Sequence, residues 1–291
     1  MPVAVVDVGS NTVRLLVTGD GGELLSLRER LRLGESVEQH GLIPESKLAE
    51  LAACVGRFAA AARAEGAQAL EVLVTSPGRQ AANGPELSQA LAAAARAPVR
   101  ILSSQEEGRL AFVGALAASG ATGRKRVAVV DVGGGSAQVV AGSRRAGPDW
   151  FRSIDLGSLR LTSRLLAGDP PGAAAVARAR AEVARHLDSF APPVVGSAFA
   201  VGGSARALRR LYGTRLGGGE LTEAVEILTF TAGSELSERF GVSLARAATL
   251  AAGAVILEAL QARLEVPLKV SRTGLRHGAL LELAQRQLAA A

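Results

Sequence analysis

The segment Asp131-Val-Gly-Gly-Gly-Ser136 joins two apolar runs that are typical of β-strands, Arg126-Val-Ala-Val-Val130 before it and Ala137-Gln-Val-Val-Ala141 after it. The pattern is strand, glycine loop, strand, whereas dinucleotide-binding folds and P-loops have a helix after the glycines. Consecutive backbone N–H groups in such a turn can converge on an anion, and glycine lets a phosphate approach the backbone closely. We therefore expect a phosphate loop at Gly133–Ser136, with Asp131 beside it to hold a divalent cation.

The same motif opens both halves of the chain. Ala4-Val-Val-Asp-Val-Gly9 and Ala128-Val-Val-Asp-Val-Gly133 are identical hexapeptides, and the first copy continues with Ser10-Asn-Thr12 and another strand-like run. One copy would be a weak signal, but two copies predict two similar lobes that face each other across a cleft. Each lobe then supplies one phosphate loop, which we place at Gly9–Asn11 in the first lobe.

The composition is that of a globular protein with a basic surface. Of the 291 residues 48% are hydrophobic, which argues against intrinsic disorder, and the length allows two domains. The net charge of +6 favours anionic partners such as phosphates, although a GC-rich coding bias explains the same charge equally well. Only 3% of the residues are aromatic and no run of lysine and arginine stands out, so we expect no nucleic-acid partner.

The sequence gives no sign of export or of membrane insertion. Cys54 is the only cysteine, which excludes a disulfide within one chain. The chain starts with a strand-like segment instead of a basic segment and an apolar stretch, which predicts no secretory signal. The longest apolar helical run, near residues 247–257, is too short to span a bilayer. We therefore expect a cytoplasmic protein that does not associate with membranes.

Hydrophobic periodicity predicts the same order of elements in both halves, a β-hairpin first and then alternating helices and strands. Glycine and other breaker residues predict loops at 36–42 and 76–84. A continuous apolar pattern predicts one long helix at 243–264. The fold class is therefore α/β, with mixed sheets flanked by helices.

The small and polar residues 119–124 are expected to connect the two lobes. The predicted domains are accordingly an N-terminal lobe at 1–121 and a C-terminal lobe at 122–291. The last helix could pack back on the first lobe.

Two candidate functional residues lie just after predicted strands of the first half. Arg79, in Thr75-Ser-Pro-Gly-Arg79, could bind a phosphate through two parallel hydrogen bonds, but an ordinary surface arginine is the simpler interpretation. Glu107, in Ser104-Gln-Glu-Glu107, could position a water molecule at a helix start. Ser-x-x-Glu is also the capping-box pattern, in which Glu107 would reach back to the Ser104 N–H, and the residues alone favour that role.

Three later segments could also face an anion. They are Leu156–Arg160, Val201–Ser204 and the segment around Arg276, and each fits an ordinary helix start, turn or cap as well. The histidines lie far apart without the spacing of metal ligands, and we interpret them as surface or packing residues: His40, His186 and His277.

Taken in order, these segments resemble the exopolyphosphatase/guanosine pentaphosphate phosphohydrolase (Ppx/GppA) family, within the actin/Hsp70/sugar-kinase superfamily. The resemblance runs nearly from end to end and matches the short two-domain members. It is carried by Asp7-Val-Gly-Ser-Asn-Thr12, Thr75-Ser-Pro-Gly-Arg79, Glu106-Glu-Gly-Arg-Leu110, Asp131-Val-Gly-Gly-Gly-Ser136, Leu156-Gly-Ser-Leu-Arg-Leu-Thr162, Val201-Gly-Gly-Ser-Ala-Arg206 and Gly274-Leu-Arg-His-Gly278.

The resemblance implies two actin-like, RNase H-like lobes with the site between them. It also implies removal of the terminal phosphate from inorganic polyphosphate, with Mg²⁺ or Mn²⁺ as cofactor. Guanosine pentaphosphate is the alternative substrate, and a homodimer is the oligomer expected from the family. A catalytically weak sensor of polyphosphate or alarmone, and a small-molecule kinase, are further alternatives.

Matching positions imply a role for each candidate residue. Glu107 falls on the family's water-activating carboxylate, Arg79 on its phosphate-binding arginine and Asp131 on a metal-associated acid. We expect Asp7 to assist Asp131 through a water molecule. The residues expected to cradle the terminal phosphoryl group are Gly9, Ser10, Asn11, Gly133, Gly134, Gly135 and Ser136.

One position departs from the family pattern. After the glycines, family members commonly have Ser-Thr-Glu with a metal-associated glutamate, whereas this chain has Ser136-Ala-Gln138. An amide oxygen can accept contacts but carries no charge, so we expect Mg²⁺ to bind more weakly. His277 also stands where an acid is usual.

Overall fold

The computed structural model describes residues 1–119 and 125–290. Contacts between residues divide the chain into two compact units, Met1–Leu110 with the segment from Leu275 onward, and Ala111–Gly274. The predicted connection at 119–124 and the predicted boundary after residue 121 fall largely on residues 120–124, outside the described part, and stay predictions. Each unit has its own hydrophobic core.

The first unit is built on a five-stranded mixed sheet in the order β3-β2-β1-β4-β5. β1 pairs antiparallel with β2 and parallel with β4, so the apolar run at its centre is buried on both faces. The elements are β1 (Val3–Val8), β2 (Thr12–Gly19), β3 (Gly22–Arg30), α1 (Leu33–His40), α2 (Glu45–Ala64), β4 (Ala69–Val74), α3 (Ser76–Gln80), α4 (Gly84–Ala95) and β5 (Val99–Ile101). The next helix, α5 (Ser104–Ala117), starts in the first unit, and its residues from Ala111 onward belong to the second.

The second unit repeats this plan, with the sheet order β10-β11-β9-β6-β7-β8. β6 again pairs antiparallel with the next strand and parallel with a later one, β9. The elements are β6 (Val127–Val132), β7 (Ala137–Ser143), β8 (Gly147–Ile154), α6 (Ser158–Leu165), α7 (Ala173–His186), β9 (Ser197–Val201), α8 (Gly202–Tyr212), β10 (Arg215–Leu216), α9 (Gly218–Phe230), α10 (Gly233–Phe240), α11 (Leu244–Ala247), α12 (Leu250–Leu264) and β11 (Leu268–Val270).

The last helix, α13 (Leu275–Ala290), belongs to the first unit although it follows the second in sequence. It packs on β1 and β4. Arg286 donates a hydrogen bond of 2.8 Å to the buried Glu71 of β4, and Glu282 accepts from Arg109 of α5. Ion pairs and apolar contacts therefore hold α13 on the first sheet.

The predicted α/β class with two RNase H-like mixed sheets is confirmed. Both sheets begin with an antiparallel meander, and the first strand of each meander has a parallel neighbour on its other side. In the described part of the chain, no helix combines the length and the apolar character needed to cross a bilayer.

Three local predictions are wrong. The predicted loop at 36–42 is largely α1, because Leu33 and Val37 lie one turn apart and are both buried. The predicted loop at 76–84 begins with the short helix α3, whose first turn tolerates Pro77 because that N–H is not needed there. The predicted helix at 243–264 is two helices, since the backbone leaves the helical conformation at Thr249.

Candidate active site

The first glycine hairpin, Gly9–Asn11, connects β1 to β2 and contacts the start of α1. The Gly9 N–H donates to the Thr12 carbonyl at 3.1 Å, which closes the turn. The carbonyls of Ser10 and Asn11 accept from the N–H groups of Gly34 (2.8 Å) and Arg32 (3.2 Å). Within the described residues, no backbone carbonyl accepts from the amides of Ser10 and Asn11, so these two donors can serve an anion.

The second hairpin, Gly133–Ser136, has the same construction. The Gly133 N–H donates to the Ser136 carbonyl at 3.0 Å. The Gly133 carbonyl accepts from the Ser158 N–H at 2.9 Å, and the Gly134 carbonyl from the Leu159 N–H at 2.8 Å. As in the first unit, the carbonyls face a helix, and no described backbone carbonyl accepts from the amides of Gly134 and Gly135.

The first turn of α6 therefore supports the loop. The amides at 158–160, which the sequence offered as anion donors, all donate to loop carbonyls. Arg160 is buried, donates to the Asp155 carbonyl at 3.0 Å and pairs with the Asp155 carboxylate at 2.5 Å. Its guanidinium is thus held by its own segment.

Gly157 sets how closely the second loop approaches α6. A Cβ at this position would lie 2.5 Å from the Gly134 carbonyl and 2.6 Å from the Ser136 nitrogen. We expect Gly157→Ala to lower the free energy of unfolding by about 1–3 kcal/mol, because the loop backbone must move. Urea unfolding measures this. Gly219→Ala in α9 is the control, since nothing lies within 4 Å of its Cβ and alanine favours the helix. Equal midpoints for the two variants would contradict the close packing.

Asp7 and Asp131 occupy equivalent positions next to the ends of β1 and β6. Asp7 lies opposite Arg14 of β2, and Asp131 lies opposite Gln138 of β7. The Asp131 carboxylate also lies close to the start of α8. A Cβ on Gly202, whose φ is +92°, would come within 3.0 Å of Asp131 Oδ1, so the backbone conformation and the space both require glycine there.

Gln138, the position that departs from the family pattern, is 1% exposed. Its Nε2 donates to Ser136 Oγ at 2.9 Å, which ties the side chain to the second hairpin. Among the described residues its Oε1 is buried without a hydrogen-bond partner. A buried acceptor of this kind is costly unless a donor or a cation satisfies it.

A partly buried Arg79 and a buried Glu107 form an ion pair in the first unit. Arg79 Nη1 donates to Glu107 Oε2 at 2.8 Å and to the Leu102 carbonyl at 2.7 Å. The side chains are 19% and 8% exposed, respectively. The interpretation of Arg79 as an ordinary surface arginine is therefore wrong, since α3 turns its guanidinium toward the first turn of α5.

The interpretation of Glu107 as a helix cap is also wrong, by one residue. The Ser103 N–H donates to Glu106 Oε2 at 2.9 Å, and the Glu106 N–H donates to Ser103 Oγ at 3.1 Å. Hydrogen bonds from Ser103 lower the pKa of Glu106. The capping box is therefore Ser103 with Glu106, and Glu107 points to Arg79.

The structure adds one basic group that the sequence interpretation missed. The guanidinium of Arg246, in α11, lies so close to Gly203 that any Cβ there would overlap it. The hydrophobic periodicity did not indicate a role for Arg246, because it predicted one continuous helix that included this residue. Ser204, the next residue of that candidate segment, is fully buried with its hydroxyl against Gly253, so it is a packing residue.

The described residues contain no group of three or more histidine, cysteine, aspartate or glutamate side chains that could hold a metal. Asp7 belongs to the first unit and Asp131 to the second. Each unit thus supplies one glycine hairpin with one acid at its base, and the first unit adds the Arg79–Glu107 pair.

Glycine hairpins whose amides serve no described backbone carbonyl can bind an anion such as phosphate. A model of the Ppx/GppA phosphatase family matches residues 19–287. The chain therefore belongs to the Ppx/GppA phosphatase family, whose members hydrolyse phosphoanhydride bonds. The predicted resemblance is confirmed.

Individual relatives agree with this assignment. Exopolyphosphatase 1 of Mycobacterium leprae is 28% identical, over 97% of this chain and 89% of the relative. The crystal structure of the Aquifex aeolicus Ppx/GppA family member is 26% identical and superposes with a TM-score of 0.83, covering 99% of this chain and 98% of that one. An exopolyphosphatase structure from Cytophaga hutchinsonii, 18% identical with a TM-score of 0.84 and 97% of each chain covered, shares the fold.

Proposed function

We propose that this protein is an exopolyphosphatase, which removes the terminal phosphate of inorganic polyphosphate by in-line attack of water. The observation that carries the proposal is the ion pair between Arg79 and the buried Glu107. Ser103 and Glu106 cap the helix, and Glu107, as a carboxylate held by an arginine, can accept a proton from water. Names of relatives at this level of identity support the same activity.

The reaction requires little covalent chemistry from the protein itself. Water forms a bond to the terminal phosphorus, the bond to the bridging oxygen breaks, and the shortened chain leaves with the electron pair. We assign the attacking water's proton to Glu107 and the charge on the phosphoryl oxygens to Arg79. The hairpins at Gly9–Asn11 and Gly133–Ser136 would hold the phosphoryl oxygens through the amides that the loop leaves unused.

The residues around Asp131 fit a divalent cation of the Mg²⁺ type. Mg²⁺ keeps several waters and needs only one or two protein carboxylates besides the substrate phosphates. Asp131 would supply one carboxylate, and Gln138 Oε1, which has no hydrogen-bond partner among the described residues, would supply a neutral oxygen on the adjacent strand. When bound, such a cation would neutralise charge on the phosphate oxygens. Asp7, at the equivalent position of the first hairpin, would act on it only through water.

Gln138→Glu is expected to lower the Mg²⁺ concentration for half-maximal activity by about tenfold, because it adds a negative charge next to Asp131. In the absence of substrate, it should also increase the Mg²⁺-dependent rise in the melting temperature. Gln138→Leu is the opposite control and should reduce both effects. If the wild type and both variants gave the same metal titration, a metal-binding role for this position would be rejected.

Guanosine pentaphosphate is the second candidate substrate, favoured by the basic Arg246 beside the start of α8. The test measures phosphate release from polyphosphates of defined length and from guanosine pentaphosphate, side by side, without an acceptor and with Mg²⁺ varied. We expect faster release per enzyme from polyphosphate. Tight binding of polyphosphate without release at any metal concentration would instead identify a sensor.

A further inference from the structure

A row of arginines follows the edge strand of the first unit. Arg28 and Arg30 lie two residues apart in β3 and therefore on one face, and Arg32, the residue before α1, lies two positions beyond the end of the strand. In the linear sequence, Glu29 and Leu31 separate the arginines, so no continuous basic stretch is visible. The strand alternation nevertheless gathers positive charge on one face.

The row has few neighbours that neutralise it. Arg28 lies opposite Arg14 of β2, and like charges in directly opposed positions destabilise a sheet. Arg28 is exposed, and its guanidinium has no hydrogen-bond or ion-pair partner among the described residues. Glu29 is on the other face and accepts from Arg57, at 2.8 and 2.9 Å.

Two further acids complete the surroundings. Asp7 lies opposite Arg14 on the far side of β2, and Glu35 is 3.5 Å from Arg32. Burial, and then the positive charge of Arg32, lower the pKa of Arg30. Arg32 therefore has an acidic partner in Glu35, whereas Arg28 has none among the described residues.

The row leads into the first phosphate loop. Arg30 Nε donates to Asn11 Oδ1 at 3.1 Å, and the Arg32 N–H donates to the Asn11 carbonyl at 3.2 Å. Because a guanidinium only donates, the contact makes the Asn11 oxygen the acceptor and directs its NH₂ group elsewhere. Arg30 and Arg32 thus fix the orientation of a residue that we assign to phosphate binding.

The corresponding edge strand of the second unit has no such row. Along β8, Arg152 is the one arginine, it lies opposite Val139, and Asp149 on the same strand pairs with Arg126 at 2.5 Å. The arginine row is therefore not a general feature of this repeated fold. It is confined to the strand beside the first loop.

We propose that Arg28, Arg30 and Arg32 form a track that binds the inner phosphates of an extended polyphosphate chain whose end is held at Gly9–Asn11. The inference rests on the proposed function and deepens it, because it makes chain length the recognised feature. Residues on one face of a strand are about 6.6 Å apart, so Arg28 and Arg30 present charge along the strand, and Arg32 adds charge where the strand leads into α1. A linear polyanion can contact all three arginines, whereas a short phosphate chain ends before Arg28.

The test compares Arg28→Gln with Arg152→Gln, its counterpart on β8. For long polyphosphate we expect Arg28→Gln to raise KM about three- to tenfold with kcat unchanged. For tripolyphosphate its KM should change less than twofold. Arg28→Lys should keep most of the affinity because it keeps the charge, and Arg152→Gln should leave every parameter unchanged.

Binding is measured separately from turnover, with each substitution placed in the Glu107→Gln background. The slope of log affinity against log salt concentration for long polyphosphate should fall by about one when Arg28 is lost. This readout stays valid if the wild-type protein releases no phosphate. That outcome would contradict the proposed function, whereas the track would still be tested by the slope of the salt dependence.

Three outcomes would overturn the track. One is an unchanged slope and KM in Arg28→Gln. Another is an equal loss of affinity for tripolyphosphate and long polyphosphate, which would place Arg28 at the terminal phosphate. The third is that a single-stranded oligonucleotide of equal charge binds as tightly as long polyphosphate and loses as much affinity in Arg28→Gln. That result would make the row a general polyanion surface.

Discussion

Replacing Glu107 with glutamine is expected to slow phosphate release by about 10²–10⁴-fold and to leave the fold intact. Glutamine keeps the shape of the side chain and can still accept from Arg79 Nη1 through its amide oxygen, but it cannot take a proton from water at neutral pH. The helix start is unaffected because Ser103 and Glu106 form the cap. The measurement is the initial rate of phosphate release at saturating polyphosphate, together with urea unfolding.

The neighbouring residue provides a matched control. Glu106→Gln weakens the capping box, so we expect a loss of about 0.5–2 kcal/mol in the free energy of unfolding with little change in rate. The two adjacent glutamates should thus show opposite profiles. A Glu107→Gln variant within a few-fold of wild type would remove Glu107 from the mechanism.

Replacing Arg79 with methionine is expected to damage both stability and rate. Glu107 would keep its buried carboxylate without the Arg79 ion pair, and because Arg79 is 19% exposed we expect a cost below the about 3–5 kcal/mol of a fully buried pair. The Leu102 carbonyl would lose a donor as well. We expect the rate to fall about 10²–10³-fold, since a group that stabilises charge on the phosphoryl oxygens is gone.

A double-mutant cycle separates the two effects. Arg79→Met combined with Glu107→Gln should recover much of the lost stability, because no unpaired charge remains, but none of the rate. Arg57→Met is the control, since its pair with Glu29 is exposed and its loss should barely move the urea midpoint. Additive losses of stability in the double variant would mean that the two side chains do not depend on each other.

The sequence predicted the glycine hairpins well because their signal is local. The duplicated hexapeptide contains most of the buried strand, the acid and the first glycine of the turn, and the apolar run that follows each turn predicts the strand that pairs with it. α1 was missed because its burial depends on only two side chains, Leu33 and Val37. Such a short pattern is weaker than the glycine signal beside it.

The Arg79–Glu107 pair could not be predicted from the local sequence, because it depends on the tertiary structure. Ser103-Ser104 and Glu106-Glu107 allow two capping registers, and local chemistry does not distinguish them. The choice is made by α3, which lies after a parallel strand and brings Arg79 to Glu107. The family resemblance pointed to these residues, but their contact is a tertiary fact.

The placement of α13 has a consequence for how the protein is made. β1 and β4 leave the ribosome early, yet the helix that packs on them follows the whole second unit in the sequence. Until then Glu71 lacks Arg286, and that face of the first sheet stays uncovered. During synthesis the second unit can mature as a continuous segment, while the first must wait, so nascent-chain protection is most needed at the end that is translated first.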